Sequence, residues 1–208
     1  MKRIFFLLTI IIFTSCSKKA FKEKWTKKNA PETFKARFET TQGNFDIIAK
    51  REWSPQGVDR LYQLIKNEFY NDIAIFRVVP NFVAQFGIHN DSVVNRSWRK
   101  YPLDDEPVIQ KNDSMTISFA RAGKKTRTAQ IYINLKDNHR LDTISGRGVT
   151  GFPVIAKVTS GMENVLKFYN KYGNKLGRRQ DSIHTYGNKF IRKNYPEVTF
   201  IKKAYFIK

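Results

Sequence analysis

The sequence contains one cysteine, Cys16, and three histidines among its 208 residues. A single cysteine cannot form an internal disulfide, and the cysteine and histidines do not have the spacing of a zinc site. No internal repeat is visible, which excludes repeat architectures as well. With 41% hydrophobic and 14% aromatic residues, the chain has the composition of a globular protein that folds around a hydrophobic core.

Acidic residues are also scarce: 18 Asp and Glu stand against 38 Lys and Arg, which gives a formal net charge of +20. A charge of this size attracts anionic surfaces at low salt. The sequence has no helix-turn-helix or RNA-recognition pattern, however, and we expect no nucleic-acid partner. A basic envelope protein that binds polyanions such as an acidic glycan stays open as an alternative.

Long apolar runs are missing except at the N terminus, where two positive charges precede roughly ten apolar residues. This run is too short for a permanent membrane helix, and we predict that residues 1–15 are a secretory signal. Cys16 follows a Thr-Ser pair, which resembles the lipobox of bacterial lipoproteins, although Phe13 stands where leucine is usual. We predict a lipidated Cys16, a basic linker over residues 16–33 and attachment to a membrane of the cell envelope. Secretion with a free thiol is the alternative.

From residue 34 onward, apolar and polar residues alternate with the period of two that is typical of β-strands. In FKARFETT, for example, Phe34, Ala36 and Phe38 share one face, and TQGN then leads into the second strand of a hairpin. We predict eight strands, over residues 34–40, 45–50, 73–79, 82–87, 115–120, 130–135, 154–158 and 198–208.

Two helices are predicted between these strands. The Ser-Pro pair at residues 54–55 supplies an N-cap and a first-turn proline before an apolar stripe that begins at Val58. The stretch SGME at residues 160–163 fits a capping box before a second apolar stripe. Eight strands and two helices indicate a mainly β domain over residues 34–208, with a closed eight-stranded antiparallel β-barrel capped by two α-helices.

Arg77 interrupts an otherwise apolar strand in IFRVVPNFVAQFG, residues 75–87. A guanidinium cannot be left unpaired in a dry core, so Arg77 must face water, a carboxylate or a ligand. In QIYINL, the side chains of Gln130 and Tyr132 share the face opposite to the apolar one. Taken singly, Arg77 also fits a surface arginine that covers apolar neighbours, and Gln85 fits an amide with a hydrogen-bond partner inside the fold.

Five stretches carry a resemblance to a known family: SPQGVDRLYQLIKNEFYND, IFRVVPNFVAQFG, TISFARAG, AQIYINLKDNHRLD and VIAKVTSGMENV. In this order they resemble the cyclophilin-type peptidyl-prolyl cis-trans isomerases over roughly residues 35–207. The blocks from Arg77 to Gln85 and from Gln130 to Asp142 are the most specific. The resemblance implies an eight-stranded barrel with its site on the outer surface.

The resemblance assigns catalytic roles to Arg77 and Gln85. It assigns substrate binding to a larger set of residues: Phe82, Val83, Ala120, Arg121, Gln130, Tyr132, Arg140, Leu141 and Phe152. Some of these depart from the family pattern, because Val83 stands where methionine is frequent, Arg140 where an aromatic residue is frequent, and Phe152 where histidine or tyrosine is. We therefore expect a shallower slot for proline.

The resemblance implies an enzyme that rotates prolyl bonds in exported or envelope proteins by stabilising the twisted amide, as a monomer without cofactor or metal. A module that binds proline-containing polypeptides without accelerating their isomerisation stays open as an alternative. The basic residues of the loop over residues 123–130 have two equally good interpretations. They border a groove that binds acidic clients, or they form a rim of charges that face solvent. For LDDEP, which holds Asp104, Asp105 and Glu106, we expect caps or ion pairs with arginines rather than bound calcium.

Overall fold

The computed structural model describes residues 21–208, so the predicted signal segment and Cys16 lie outside the described residues. The strands are β1 (Thr33–Thr40), β2 (Gly43–Lys50), β3 (Ile73–Ala74), β4 (Arg77–Val79), β5 (Val83–Phe86), β6 (Thr116–Phe119), β7 (Ile131–Asn134), β8 (Ser145–Gly146), β9 (Val149–Thr150), β10 (Val154–Ser160) and β11 (Phe200–Ile207). The helices are α1 (Pro55–Lys66), α2 (Ser92–Arg99), α3 (Arg140–Thr143), α4 (Met162–Leu166), α5 (Gly173–Gly177) and α6 (Gln180–Asn194), with 3-10 turns at Glu23–Lys27 and Arg51–Trp53.

The predicted hairpin of β1 and β2 is confirmed, and it shows how alternation builds the core. Successive side chains of a strand point to opposite faces, so Phe34, Ala36 and Phe38 are buried while Lys35 between them is exposed. Phe38 pairs directly with Phe45 across the hairpin. Their rings stack at a centroid distance of 5.0 Å, which joins the two strands on the core face.

Nine strands form the main sheet, in the order β3-β11-β1-β2-β10-β6-β7-β5-β4. The predicted strand over residues 73–79 is split, because β3 pairs with β11 whereas β4 pairs with β5. One segment of chain thus contributes both edge strands, and the sheet curls round between them. Across residues 21–208, no ladder joins β3 to β4. The prediction of a closed eight-stranded barrel is therefore corrected to a curled sheet of nine strands.

The break in this segment lies at Ile75 and Phe76, where the chain passes between two hydrophobic clusters. The Ile75 amide donates to the Thr199 carbonyl oxygen at 2.9 Å. Ile75 packs in the main core, whereas Phe76 packs in a second cluster with residues that include Leu176 and Ile183. Neighbouring residues of an extended chain point to opposite sides, so this one segment is held from both faces.

Helix α1 follows the predicted stripe, with Val58, Leu61 and Ile65 buried against the sheet. Its N-terminus is satisfied differently from the prediction, because the Ser54 side chain makes no cap bond. Glu106 does so instead: its carboxylate accepts from the amides of Gln56 at 2.8 Å and Gly57 at 3.1 Å, and from the Ser54 hydroxyl at 2.5 Å. A carboxylate is well placed at the positive end of a helix.

The second predicted helix is short, and its capping box is wrong. Helix α4 comprises only Met162–Leu166, and its N-cap is Gly161 in the left-handed region at φ 75°. Ser160 cannot cap the helix because it still belongs to β10, where it pairs with Asp46. The helices α2, α3, α5 and α6 were not predicted, so the count of two helices is also wrong.

The end of the predicted linker packs on the folded body. Phe21 contacts the rings of Trp25 and Trp98, with centroid distances of 5.7 and 5.2 Å. Gln63 donates its side-chain amide to the carbonyl oxygens of Thr26 and Lys28. Within the described part of the chain, no helix is long and apolar enough to cross a membrane.

Glu106 also pairs with a buried cation, Arg127. Its Oε2 accepts from Arg127 Nη2 at 3.0 Å, and the Arg127 side chain is 1% exposed. Replacing Glu106 by Ala leaves this guanidinium without its counter-charge, so we expect the free energy of unfolding to fall by about 3–5 kcal/mol. Urea unfolding measures the loss. Glu163→Ala, at an exposed position of α4, is the control, and equal unfolding midpoints for the two variants would contradict this account.

Candidate active site

A tight turn brings Arg77 and Gln85 together on neighbouring strands. Residues 79–82 form the turn, closed by a bond of 3.1 Å from the Phe82 amide to the Val79 carbonyl oxygen. Pro80 and Asn81 occupy its centre, and Asn81 has a positive φ of 56°, as type II turns require at that position. The antiparallel register then sets Arg77 directly opposite Gln85.

The row of paired positions that begins with Arg77 and Gln85 continues across the sheet. Gln85 lies opposite Tyr132 on β7, and Tyr132 lies opposite Ser118 on β6. Side chains at directly paired positions share a face of the sheet. The residues from the two most specific sequence blocks therefore meet on one outer face, as the sequence predicts.

Arg77 is half-buried and is held by two neutral acceptors. Its Nη1 donates to Gln85 Oε1 at 3.1 Å, and its Nε donates to Asn174 Oδ1 at 2.7 Å. The guanidinium carbon lies 5.6 Å from the centre of the Phe82 ring. Burial lowers the pKa of Arg77, but an arginine stays protonated in proteins. Because both acceptors are uncharged amides, the positive charge of Arg77 is not neutralised by them.

Three glutamines continue from Arg77 in a series that we call the amide chain: Gln85, Gln130 and Gln180. Gln85 Nε2 donates to Gln130 Oε1, and Gln130 Nε2 donates to Gln180 Oε1, each at 2.9 Å. Gly87, at φ 108°, permits β5 to approach this point, because a Cβ there would lie 2.7 Å from the Gln130 Cα. The amide chain thus connects β4, β5 and the segment before β7 to α6.

A cavity of about 190 Å³ opens beside Arg77. Its walls hold nine of the eleven residues predicted for catalysis or substrate binding: Arg77, Phe82, Val83, Gln85, Ala120, Arg121, Tyr132, Leu141 and Phe152. Val83, Tyr132 and Leu141 form a small buried cluster of their own, with Phe152 packed against it. The rings of Tyr132 and Phe152 meet edge to face at 6.0 Å. The cavity is therefore a mainly apolar slot that has two cationic side chains, Arg77 and Arg121, in its walls.

Asn112 is fully buried next to the slot, and its side chain forms hydrogen bonds with several of the residues around it. Its Nδ2 donates to Asp142 Oδ1 at 2.8 Å and to the Phe152 carbonyl oxygen at 2.9 Å. Its Oδ1 accepts from Asn134 Nδ2 at 3.0 Å and lies 3.4 Å from the Tyr132 hydroxyl. Burial raises the pKa of Tyr132, so this hydroxyl stays protonated. One amide thereby connects both sides of the slot.

Arg121 holds in place the wall of the slot that Phe152 forms. Its Nε and Nη2 donate to the Gly151 carbonyl oxygen at 3.1 and 2.8 Å, and its guanidinium carbon lies 4.4 Å from the centre of the Phe152 ring. Burial lowers the pKa of Arg121. The side chain predicted to bind substrate thus also positions Phe152, another predicted site residue.

A second cavity, of about 530 Å³, adjoins the slot and shares Gln85, Ala120 and Arg121 with it. Gln130 lines this larger cavity, together with Arg99, Lys125 and Gln180. Arg140, by contrast, is exposed at the start of α3 and lines neither cavity. Two of the eleven predicted residues therefore lie outside the slot.

The basic loop over residues 123–130 is partly paired within the fold. Lys125 Nζ lies 2.7 Å from Asp104 Oδ1, and Arg127 is buried against Glu106 and the Asp104 carbonyl oxygen. The expectation that the acidic loop LDDEP provides caps and ion pairs is confirmed. Because Arg127 is buried, it is not part of a solvated rim.

Comparison with known proteins agrees with this geometry. A family model described as cyclophilin type peptidyl-prolyl cis-trans isomerase/CLD matches residues 35–186. The chain belongs to this family. The match confirms the resemblance drawn from the sequence, and it includes every residue that lines the slot.

Relatives of this cyclophilin occur in fungi and bacteria. Peptidyl-prolyl cis-trans isomerase-like 2 of Gibberella zeae is 32% identical over 145 residues, which are 66% of this chain but 24% of the relative's length. A peptidyl-prolyl cis-trans isomerase of Acinetobacter baylyi is 28% identical over 143 residues, which cover 68% of this chain and 75% of the relative. The chain thus spans about a quarter of the fungal relative and three quarters of the bacterial one.

A solved structure shares the fold. The cyclophilin type peptidyl-prolyl cis-trans isomerase of Cryptosporidium parvum superposes with a TM-score of 0.58 and 16% identity, over 85% of this chain and 98% of that one. A second structure of the parasite protein, determined in the presence of the dipeptide Ala-Pro, has a TM-score of 0.57. These matches support a mainly β cyclophilin fold for this chain.

Sequence reasoning missed three residues of the site: Asn112, Asn174 and Gln180. Asn112 lies in a stretch without strand or helix periodicity, and its burial gives no local signal. Asn174 reaches Arg77 across 97 positions, and Gln180 reaches Gln130 across 50. Such contacts depend on the tertiary path of the chain, which periodicity does not report.

Asn112 should be required for the integrity of the slot. Asn112→Ala leaves buried partners on both sides of the slot unsatisfied, so we expect the free energy of unfolding to fall by about 3 kcal/mol. Chemical denaturation measures this change, with Asn170→Ala at an exposed position as the matched control. A loss within about 0.5 kcal/mol of that control would contradict the role of Asn112.

Proposed function

We propose that this chain is a peptidyl-prolyl cis-trans isomerase that acts on proline-containing polypeptides. The observation that carries the proposal is the position of Arg77, a charged donor at the rim of an apolar slot, held by neutral amides. The relatives' names and the family membership support the same activity.

The barrier to be lowered is that of amide resonance, about 18–20 kcal/mol for peptide bonds. Rotation localises an electron pair on the proline nitrogen, which a planar amide delocalises. A donor next to that nitrogen therefore binds the twisted state better than either planar state, which is the requirement for catalysis. Arg77 supplies this donor, and the reaction forms or breaks no covalent bond, so no nucleophile, metal or cofactor is required.

The slot fits the proline ring of the substrate. At about 190 Å³ it is smaller than the roughly 300–1,000 Å³ pockets of drug-sized ligands. Phe82, Val83, Tyr132, Leu141 and Phe152 form its apolar surface. We assign Gln85, with Ala120, Arg121 and Gln130 around the adjoining cavity, to the peptide that flanks proline. The Ala-Pro dipeptide present with the parasite relative supports a ligand of this class.

Arg140 has a different role in the proposal from the residues that line the slot. Its side chain is exposed and lines neither cavity. We propose that it contacts only the more remote parts of a long polypeptide, and not the proline ring.

Arg77→Ala is the variant that tests the activity. Removing one preorganised donor of this kind costs about 100-fold to 1,000-fold in rate in other enzymes, so we expect kcat/KM to fall at least 100-fold in a protease-coupled prolyl peptide assay. Arg96→Ala, which removes the same charge from an exposed position of α2, should keep wild-type activity.

Two experimental results would contradict the proposal, and each would indicate a different function. A wild-type protein that binds prolyl peptides without accelerating their isomerisation is a binding module, the role that Val83, Arg140 and Phe152 would favour. A protein that retains heparin or DNA at physiological salt, equally with and without Arg77, is a polyanion binder instead.

For the whole protein, we propose export and lipid attachment at Cys16, with clients among the exported or envelope proteins. The sequence pattern around Cys16 supports this placement, and several acyl chains provide stable anchoring where a single chain is marginal. Cys16→Ser should move the protein from the membrane fraction to the soluble fraction of cells, because the acyl chains can no longer be attached. Fractionation with blotting checks this, and unchanged membrane association of the variant would argue against the anchor.

A further inference from the structure

Helices α5 and α6 supply the side chains at the two ends of a hydrogen-bonded series that starts at Asn174 and runs through Arg77 and the amide chain to Gln180. Asn174, on α5, accepts from Arg77 Nε at 2.7 Å. Gln180, the first residue of α6, accepts from Gln130 Nε2 at 2.9 Å and donates to the Gly177 carbonyl oxygen at 3.2 Å. Both ends of the hydrogen-bonded series therefore return to the same short segment of chain.

The direction of these bonds is dictated by Arg77. An arginine can only donate hydrogen bonds, whereas each glutamine has one accepting and one donating end. Gln85 must therefore turn its oxygen toward Arg77 and its nitrogen toward Gln130. The same orientation passes on to Gln130 and Gln180, so that every member donates away from Arg77. Hydrogen bonds aligned in this manner polarise one another.

Helix α5 also passes so close to the Arg77 side chain that only glycine fits at position 177 without a shift of its neighbours. A Cβ added at Gly177 would lie 3.2 Å from the Cβ, Cγ and Cδ atoms of Arg77. Leu176 beside it is fully buried in the second hydrophobic cluster, with Phe76, the residue that precedes Arg77. The helix is thus anchored by its own core contacts, and it presents a fixed surface to the arginine stem.

We propose that Asn174 and Gln180 are positioning residues that orient Arg77 and the amide chain for catalysis. The inference rests on the proposed isomerase activity. Asn174 and Gln85 accept from two of the five N–H donors of Arg77, and the proposal assigns the remaining donors to the substrate. Gln180 supplies the acceptor that keeps Gln130, and through it Gln85, in the required orientation.

The polarity of the amide chain provides a sharp test at position 180. Gln180→Glu keeps an acceptor there, whereas Gln180→Lys offers only donors. We expect kcat for a prolyl peptide to stay within twofold of wild type in the glutamate variant and to fall fivefold to tenfold in the lysine variant, with KM unchanged in both. Equal kcat values in the two variants would overturn the role of Gln180.

Position 174 is tested in the same assay. Asn174→Ala should lower kcat about fivefold at unchanged KM, and Asn174→Gln, which keeps a neutral amide acceptor, should lose less than the alanine variant. Asn194→Ala, at an exposed position at the end of α6 where the side chain donates to the Phe190 carbonyl oxygen, is the control. A kcat equal to that of the control, or a loss matched by a lower melting temperature and a raised KM, would overturn positioning by Asn174.

A readout independent of turnover separates this inference from the proposed function. The Nε–H group of Arg77, assigned in ¹⁵N spectra by its absence from Arg77→Lys, should exchange slowly with water in the wild type and rapidly in Asn174→Ala. If the wild type is inactive but the exchange rates differ in this way, the proposed isomerase activity is refuted and the orientation of Arg77 by Asn174 stands. If the wild type is active but the exchange rates are equal, the orientation of Arg77 by Asn174 is refuted and the isomerase activity stands.

Discussion

The site depends on one constraint: the guanidinium of Arg77 has five donors, no acceptor and a permanent charge. Every hydrogen-bond partner of this group must present an acceptor, and the two side chains that do so in the described structure are the neutral amides of Asn174 and Gln85. A carboxylate in either place would pair with the charge and compete with a substrate nitrogen for its donors. Neutral acceptors hold the group in place while leaving its charge available to the slot.

The curled sheet is what makes this arrangement possible. Because residues 73–79 supply both edge strands, Arg77 lies at a sheet edge, where its side chain can meet α5 as well as β5. The paired positions on β5, β7 and β6 then extend the site across one face. Asn112 connects the walls of the slot from below, so the apolar and polar parts of the site share one rigid support.

Much of this architecture could be predicted from the sequence, because strands with alternating burial and the turn at Pro80-Asn81 are encoded locally. The family motifs also identified nine residues that line the slot. The split of residues 73–79, the choice of α1 as the helix that Glu106 caps, and the contacts of Asn174 and Gln180 could not be predicted. Each depends on segments distant in sequence, and Ser160 shows the opposite error: a local capping signal was overridden because the residue pairs with β2 in the sheet.

The most direct measurement of the central claim is two-dimensional NMR exchange spectroscopy on a peptide that contains Ala-Pro, with the protein at a small fraction of the peptide concentration. Uncatalysed prolyl exchange takes tens to hundreds of seconds, so a mixing time of about a second shows no transfer without an enzyme. The account predicts cross peaks between the cis and trans signals in the presence of wild-type protein. Their absence, with a peptide shown to occupy the slot, would contradict it.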